Sequence, residues 1–323
     1  MTMTTTNAAL LRAIAAAQHA PSLLNTQPWM WEVDGDTAQL WARRDRQVTS
    51  IDPDGRLLTV SCGAALHHAR TALAADGYAC VTTRLPDADR PDLLAELTLT
   101  GLRPPEPADV LRYQSMLIRH TERRAFPAIE VPDPLLEQLR QAAEHGGAHL
   151  HILRPEEMII LAGAVDRAEA VELDDPAYRA DLATWTHRPA HLRDGIDIPA
   201  PDPTARTVPI RTFDPDHPTP MGEKVGDQKA RFAILFTDDD TPADWLTAGE
   251  ALSDVLLTAV ATDLAISPIS DVIEVPVTRQ RLRGMLSGLG WPMIALRIGV
   301  TERPASAPAS TRRDVYQHQC TDG

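Results

Sequence analysis

An α+β fold made of two related halves is what this sequence predicts, and three observations carry the prediction. Segments with helical and strand periodicity alternate along the 323 residues. A Pro-rich break, Pro104-Pro105-Glu106-Pro107, separates residues 1–105 from 106–323. Short runs echo one another along the chain. Ala74-Ala75-Asp76-Gly77-Tyr78-Ala79-Cys80-Val81 resembles Ala143-Glu144-His145-Gly146-Gly147-Ala148-His149-Leu150 as helix, glycine stop and strand. Leu97-Thr98-Leu99-Thr100-Gly101 likewise resembles Ala295-Leu296-Arg297-Ile298-Gly299. A chain of this length can bury a large core in two domains or lobes.

The elements follow in order. Asn7 reads as the cap of a helix over 8–18. After a loop at 21–28, residues 29–33 and 38–43 read as strands joined through Asp34-Gly35, a hairpin signal. Asp52-Pro53-Asp54-Gly55 is a turn, and 57–76 is a helix that Gly77 terminates. Strands at 78–84 and 93–102 complete the first half. Beyond the break come helices at 108–118 and 133–145, a strand at 148–154 and a helix at 156–172. Residues 174–229 hold Pro176, Pro189, Pro199, Pro201, Pro203, Pro209, Pro215, Pro218 and Pro220 with little periodicity. So long an irregular stretch predicts a lid, and Trp185, Ile196, Ile210, Phe213 and Met221 give it apolar groups to pack. A strand at 231–237 follows. Thr241-Pro242 then opens a helix with Trp245, Gly249, Leu252, Leu256 and Ala259 at helical spacing. Residues 293–300 close as a buried strand.

Composition excludes several classes. A net charge of −14 argues against sequence-independent binding to nucleic acid or anionic membranes, which needs a basic surface. Cys62, Cys80 and Cys320 are odd in number and lack CxxC spacing, as expected of a reducing cytoplasm. No apolar run approaches the roughly 20 residues that cross a bilayer. Residues 1–7 carry no charged or apolar signal region, so a cytoplasmic protein is expected. Cys62 reads as a core thiol. His67 and His68 are adjacent and diverge on a helix, while His145, His149 and His151 lack the acidic partners of a metal cluster. The glycines of 284–290 are not followed by Lys-Ser/Thr, no GxGxxG follows a strand, and GxSxG and HExxH are absent.

Two polar segments remain. In Pro21-Ser22-Leu23-Leu24-Asn25-Thr26-Gln27-Pro28-Trp29, Asn25 and Gln27 each donate and accept, which suits a ring edge alternating carbonyl and N–H groups. In Arg119-His120-Thr121-Glu122-Arg123-Arg124, an extended backbone would point Arg119, Thr121 and Arg123 the same way. Arginine forks match phosphate oxygens, and a threonine hydroxyl completes the shell. Arg312-Arg313 is a second local inversion of charge. Together these groups suit a ligand with a flat heteroaromatic end and a phosphate end.

Pro21-Ser22-x-x-Asn25-x-Gln27-Pro28-Trp29 and Arg119-x-Thr121-x-Arg123 with Phe126 resemble the flavin-edge and phosphate motifs of the FMN-dependent nitroreductases. Their reversed order, one motif in each half, resembles the Acg-type branch of actinobacteria, in which two nitroreductase-like halves are fused. Asp52-Pro53-x-Gly55-Arg56, Ser61-Cys62-Gly63-Ala64-Ala65 and Arg297-Ile298-Gly299 fit the same branch. The resemblance implies an antiparallel-rich sheet flanked by helices and one FMN between the halves. It implies that Arg119, His120, Thr121 and Arg123, with Arg312 or Arg313, hold the phosphate. Pro21, Ser22, Asn25 and Gln27 would line the isoalloxazine, and Pro268-Ile269-Ser270 would form the loop near its reactive edge. The flavin would carry hydride from NAD(P)H to a small acceptor such as a nitroaromatic or a quinone, with no catalytic side chain. The alternative it implies is a flavin-sequestering protein whose lid blocks turnover. Either a monomeric pseudo-dimer or a homodimer is expected.

Overall fold

The computed structural model describes residues 5–197, 202–213, 222–301 and 310–313. The first half runs α1 (Thr5–Ala17), β1 (Trp29–Asp34), β2 (Thr37–Ala42), α2 (Arg56–Ala75), β3 (Tyr78–Arg84) and β4 (Leu93–Leu102). The second runs α3 (Pro107–Ile118), α4 (Asp133–His145), β5 (His149–Ile152), α5 (Met158–Asp174), α6 (Pro176–Thr186), β6 (Arg231–Thr237), α7 (Pro242–Ala261), β7 (Leu264–Ile269), α8 (Asp271–Glu274), α9 (Pro276–Met285) and β8 (Trp291–Val300). The fold is α+β, with two four-stranded antiparallel sheets flanked by helices. No helix among the described residues is long and apolar enough to cross a membrane.

Local chemistry explains most boundaries. Gly35 takes the left-handed conformation at the tip of the β1–β2 hairpin, where a Cβ would be strained. Trp29 and Trp31 alternate inward from β1, and the Trp29 indole N–H donates to Gln18 Oε1 at 3.0 Å. Thr241 caps α7 in a capping box with Asp244, with Pro242 at the first helical position. Asn7 lies inside α1, which starts at Thr5, so the expected cap is displaced.

Both sheets have one topology. Strand order is β1-β2-β4-β3 in the first and β5-β6-β8-β7 in the second. In each, a 20-residue helix, α2 or α7, joins the second strand to the third. This corrects the echo read from sequence. Residues 97–101 and 295–299 do occupy matching strands, β4 and β8. Residues 74–81, however, end α2 and enter β3, whereas 143–150 end α4 and enter β5, a different place in the topology.

The two central helices cross in direct backbone contact. A Cβ on Gly63 would lie 2.1 Å from the Leu246 carbonyl oxygen, and one on Gly249 would lie 2.0 Å from that of Val60. The two glycines sit at the same distance from their helix starts, Arg56 and Pro242, so the contact is pseudo-twofold. Each core borrows from the opposite helix: Leu246 and Leu257 of α7 enter the first-half core, and Val60 of α2 enters the second.

Three expectations need correction. The segment beginning at 174 is not irregular at its start, because α6 occupies Pro176–Thr186. Asp175 accepts the Ala177 N–H as N-cap, and Pro176 takes the first helical position, where its missing N–H costs nothing. Pro268 and Ile269 belong to β7 rather than to a loop, and only Ser270 lies beyond the strand. Proline is tolerated there because β7 is an edge strand, paired with β8 alone. The strand read at 148–154 is shorter, His149–Ile152. Met221, expected to help pack the lid, lies outside the described residues.

The crossing yields the first prediction. Gly63→Ala and Gly249→Ala should each destabilise the protein by about 1–3 kcal/mol or more, since neither facing backbone can yield. The double variant should cost less than the sum, because both substitutions break one contact. Urea unfolding of the three variants checks this.

Candidate functional site

A cavity opens where the halves meet. α2 contributes Leu57, Val60, Ser61 and Ala64, and α7 contributes Leu252. Ser267, Pro268 and Ile269 of β7, then Ser270 and Asp271, form one edge. Pro21, Ser22, Leu23 and Leu24 form another, Thr121 and Arg123 a third, and Ile196, Ile210, Arg211 and Phe213 close over it from the lid. The enclosed volume is about 150 Å³.

The 21–28 loop is strained and braced. Leu24, Asn25 and Gln27 have φ of 45°, 53° and 47°, a left-handed conformation that non-glycine residues avoid. Ser22 Oγ accepts the Gln27 N–H at 3.0 Å, Ser61 Oγ accepts that of Leu23 at 3.2 Å, and Arg46 donates to the Thr26 carbonyl at 2.6 Å. Asn25 and Gln27 do not face the cavity. The Asn25 amide donates to the Gly195 carbonyl at 2.9 Å, and its oxygen accepts from Arg312 at 2.7 Å. Gln27, fully buried, donates to Arg193 O at 3.0 Å and accepts the Arg313 N–H at 2.8 Å. These amides fasten the lid and the tail to the loop. Asp194, held below its ordinary range by Arg188 and Arg46 despite its burial, is an ionic anchor of the lid.

A second, cationic enclosure lies beside the cavity. Arg119 Nε and Nη1, Arg312 Nε, His68 Nε2 and His120 Nε2 are sealed from solvent without a hydrogen-bond partner. His120 is 3.7 Å from Glu122, too far for a bond. Burial, with repulsion from Arg312 and Arg123, pushes Arg119 down to about 9, and burial alone pushes Arg312 down to about 10. Burial and the same two cations, Arg312 and Arg119, depress His19. Arg123 faces Phe213 with its carbon 5.3 Å from the ring centre. Thr121 and Arg123 therefore share the cavity, while Arg119 joins Arg312 next door; the alternation read from sequence does not turn all three the same way.

The relatives of this chain are close enough to identify its family. "Putative NAD(P)H nitroreductase Rv3131" of Mycobacterium tuberculosis is 34% identical over 319 residues, 94% of this chain and 89% of that protein. "Putative NAD(P)H nitroreductase acg" of the same organism is 31% identical over 327 residues, 97% of this chain and 96% of that protein. The chain belongs to the nitroreductase family. No family model matches the sequence. Among solved structures, a Bacteroides fragilis nitroreductase with bound FMN aligns at 12% identity and a TM-score of 0.35, covering 63% of this chain and 98% of its own. B. megaterium NfrA2 aligns at 11% identity and a TM-score of 0.36, covering 65% of this chain and 77% of its own.

Among the described residues the two faces of the helix crossing differ. Ala64, next to Gly63, lines the cavity; its counterpart next to Gly249 is Glu250, 2% exposed and gripped by Arg70 and by Arg84 at 2.6 Å. The long α1–β1 connection that carries Pro21 and Ser22 has as its counterpart a tight turn, Gly146-Gly147. A Cβ on Gly146 would lie 2.5 Å from Ala251 Cα. The matching space on the other face of the crossing is thus filled by an ion-paired carboxylate and a turn. Sequence reasoning missed His19, Arg211 and Asp271, which are single polar residues without a pattern, and weighed His68 only as a metal ligand. The three histidines 145, 149 and 151 each meet one carboxylate, Asp254, Asp238 and Glu157, and no metal-ligating group exists among the described residues. Burial pushes the Cys62 thiol well up, as expected of a core residue.

The helix seam also titrates. His67 donates to or accepts from Ser253 Oγ at 2.8 Å, and burial holds it down at about 4 against the opposing pull of Asp254 and Glu250. The unfolded chain takes up that proton near pH 6.5, the folded chain only near 4, so His67 subtracts stability as pH falls through this window. Buried Glu172 and Asp271, raised to about 9 and about 6, act in the opposite sense. The informative quantity is therefore a difference. His67→Asn should gain stability relative to wild type between pH 6.5 and 4, read from urea midpoints at pH 7 and 5.

Proposed function

We propose that the cavity holds the isoalloxazine of FMN, that the cationic enclosure holds its phosphate, and that the chain passes hydride from NAD(P)H to a small acceptor such as a nitroaromatic or quinone. The observation that carries this reading is the pair Arg119 and Arg312. Two guanidinium groups with sealed, unpaired nitrogens repel one another in a net acidic protein, and a dianion between them removes both costs. Thr121 and Arg123, which line the cavity, would join the phosphate to the ring, and the reading adds His120 and Arg313 to the phosphate shell. The curated relatives named NAD(P)H nitroreductase favour the nicotinamide donor.

In this reading Leu57, Val60, Leu252 and Ile294 supply apolar walls that exclude water. Pro21 and Ser22 define one rim, and Pro268, Ile269 and Ser270 the opposite one. Asn25 and Gln27 act at one remove, by fixing lid and tail. The bound flavin would supply the hydride chemistry; the protein orients it and sets its surroundings.

A second reading, flavin sequestration, is favoured by the cavity's size. About 150 Å³ is well below the roughly 300–1,000 Å³ of sites for drug-sized ligands, so ring and stacked acceptor require the lid to lift. A purified yellow protein that NAD(P)H bleaches without oxygen supports turnover; bleaching by dithionite alone supports sequestration.

The phosphate assignment is tested by Arg119→Ala. Loss of charge-assisted bonds, each worth about 1.5–3 kcal/mol, should weaken FMN binding by roughly ten- to 150-fold. Riboflavin, which lacks the phosphate, should bind the variant and the wild type alike. Equal losses for both ligands would sink the assignment.

A further inference from the structure

Behind the Asp271 edge of the cavity lies a buried acidic group that the flavin reading leaves unused. Asp271 lines the cavity and is 2% exposed. Glu172 of α5 and Glu274 of α8 stand behind it, with side chains 6% and 1% exposed. A single guanidinium faces the three carboxylates: Arg211 of the lid, 2.6 Å from Glu274 and 3.8 Å from Glu172. The other groups facing the cluster are Tyr178 of α6, beside Arg211 and Glu172, Glu169 of α5, bound by Thr212 at 2.5 Å, and Asp52 ahead of α2.

Charge and hydrogen bonding give the same answer. Glu172 Oε1 and Glu274 Oε2 are both sealed and without a hydrogen-bond partner, and the charge of Glu274 is felt at Glu172. Two carboxylates cannot bond each other; a carboxyl and a carboxylate can. One proton shared between them satisfies both oxygens and leaves Arg211 balanced against one negative charge. Burial accordingly raises Glu172 to about 9, so this proton is retained at neutral pH. Asp271, which lines the cavity and feels the charge of Glu274, is raised by burial to about 6, close to the operating range of an efficient acid.

We propose that Asp271, backed by the Glu172–Glu274 pair, is the proton donor of the cavity. The proposal rests on the flavin reading above. A quinone that takes up a hydride still needs a proton to become a hydroquinone. The Asp271 O–H bond breaks as a new O–H bond forms on the acceptor, and the electron pair stays on the carboxylate. Solvent restores the acid between turnovers; the pair keeps its own proton, and the negative charge of Glu274 beside Asp271 favours the protonated carboxyl. NAD(P)H, through the flavin, is the reductant.

Two acceptors separate proton delivery from structure. Quinone needs a proton, whereas ferricyanide takes electrons alone. In protein loaded with FMN and reduced by dithionite, Asp271→Asn should slow reoxidation by quinone about 100-fold, within the usual 10²–10⁴ for general acids, and leave ferricyanide unaffected. Asp271→Glu should restore part of the quinone rate. In the wild type, the quinone-to-ferricyanide ratio should fall about tenfold per pH unit above about 6. In flavin-free protein, infrared spectra at pH 7 should contain a protonated-carboxyl band that Glu172→Gln removes. Equal slowing with both acceptors, a pH-independent ratio, or absence of the band overturns the proposal while the protein remains yellow. A colourless protein that takes up no FMN overturns the flavin reading itself, and this inference with it.

Discussion

The halves of this chain meet where the backbones of α2 and α7 touch at Gly63 and Gly249, and the cavity exists because of that contact. Without side chains at these points the two helices approach closely enough for each to enter the opposite core. The same approach turns Val60, Ser61 and Ala64 of one helix and Leu252 of the other toward a common space. A larger residue at either glycine would separate the helices and open that space to water. The geometry of the site is therefore inherited from a helix crossing rather than from its own loops.

A crossing with pseudo-twofold symmetry offers two equivalent faces, and the chain uses them differently. On one face a long, strained connection, a lid and a tail converge on the cavity. Asn25 and Gln27 are the shared bolts, bonded at once to Gly195, Arg193, Arg312 and Arg313. On the other face Glu250, Arg70 and Arg84 fill the matching space, and Gly146 presses against Ala251. Fusing two halves into one chain is what permits this division: identical subunits would have to carry both sets of residues on both faces.

Much of this was legible in the sequence. The Asp34-Gly35 hairpin, the Thr241-Pro242 helix start and the strand at 93–102 are set by local chemistry, and local chemistry can be read. Pro176 misled because proline density was read as irregularity, whereas Asp175-Pro176 is a helix start and Tyr178, Leu182 and Trp185 follow at helical spacing. Pro268 could not be assigned to a strand, since only the sheet order makes β7 an edge. The two site motifs were visible as residue types. Their division of labour was not, because the separation of Arg119 from Thr121 and Arg123 depends on where Arg312 arrives from nearly two hundred residues away. Arg211 and Asp271 carried no signal at all; their significance lies in a buried cluster drawn from α5, α6, α8 and the lid.

In the proposed reading one face of the crossing is a flavin site and the other is closed. A visible-absorbance titration of the flavin-free protein with FMN, with protein concentration fixed by amino-acid analysis, tests it most directly. Saturation at one FMN per chain is the predicted result. Saturation at two per chain would contradict the closed face, and no saturable binding would contradict the site.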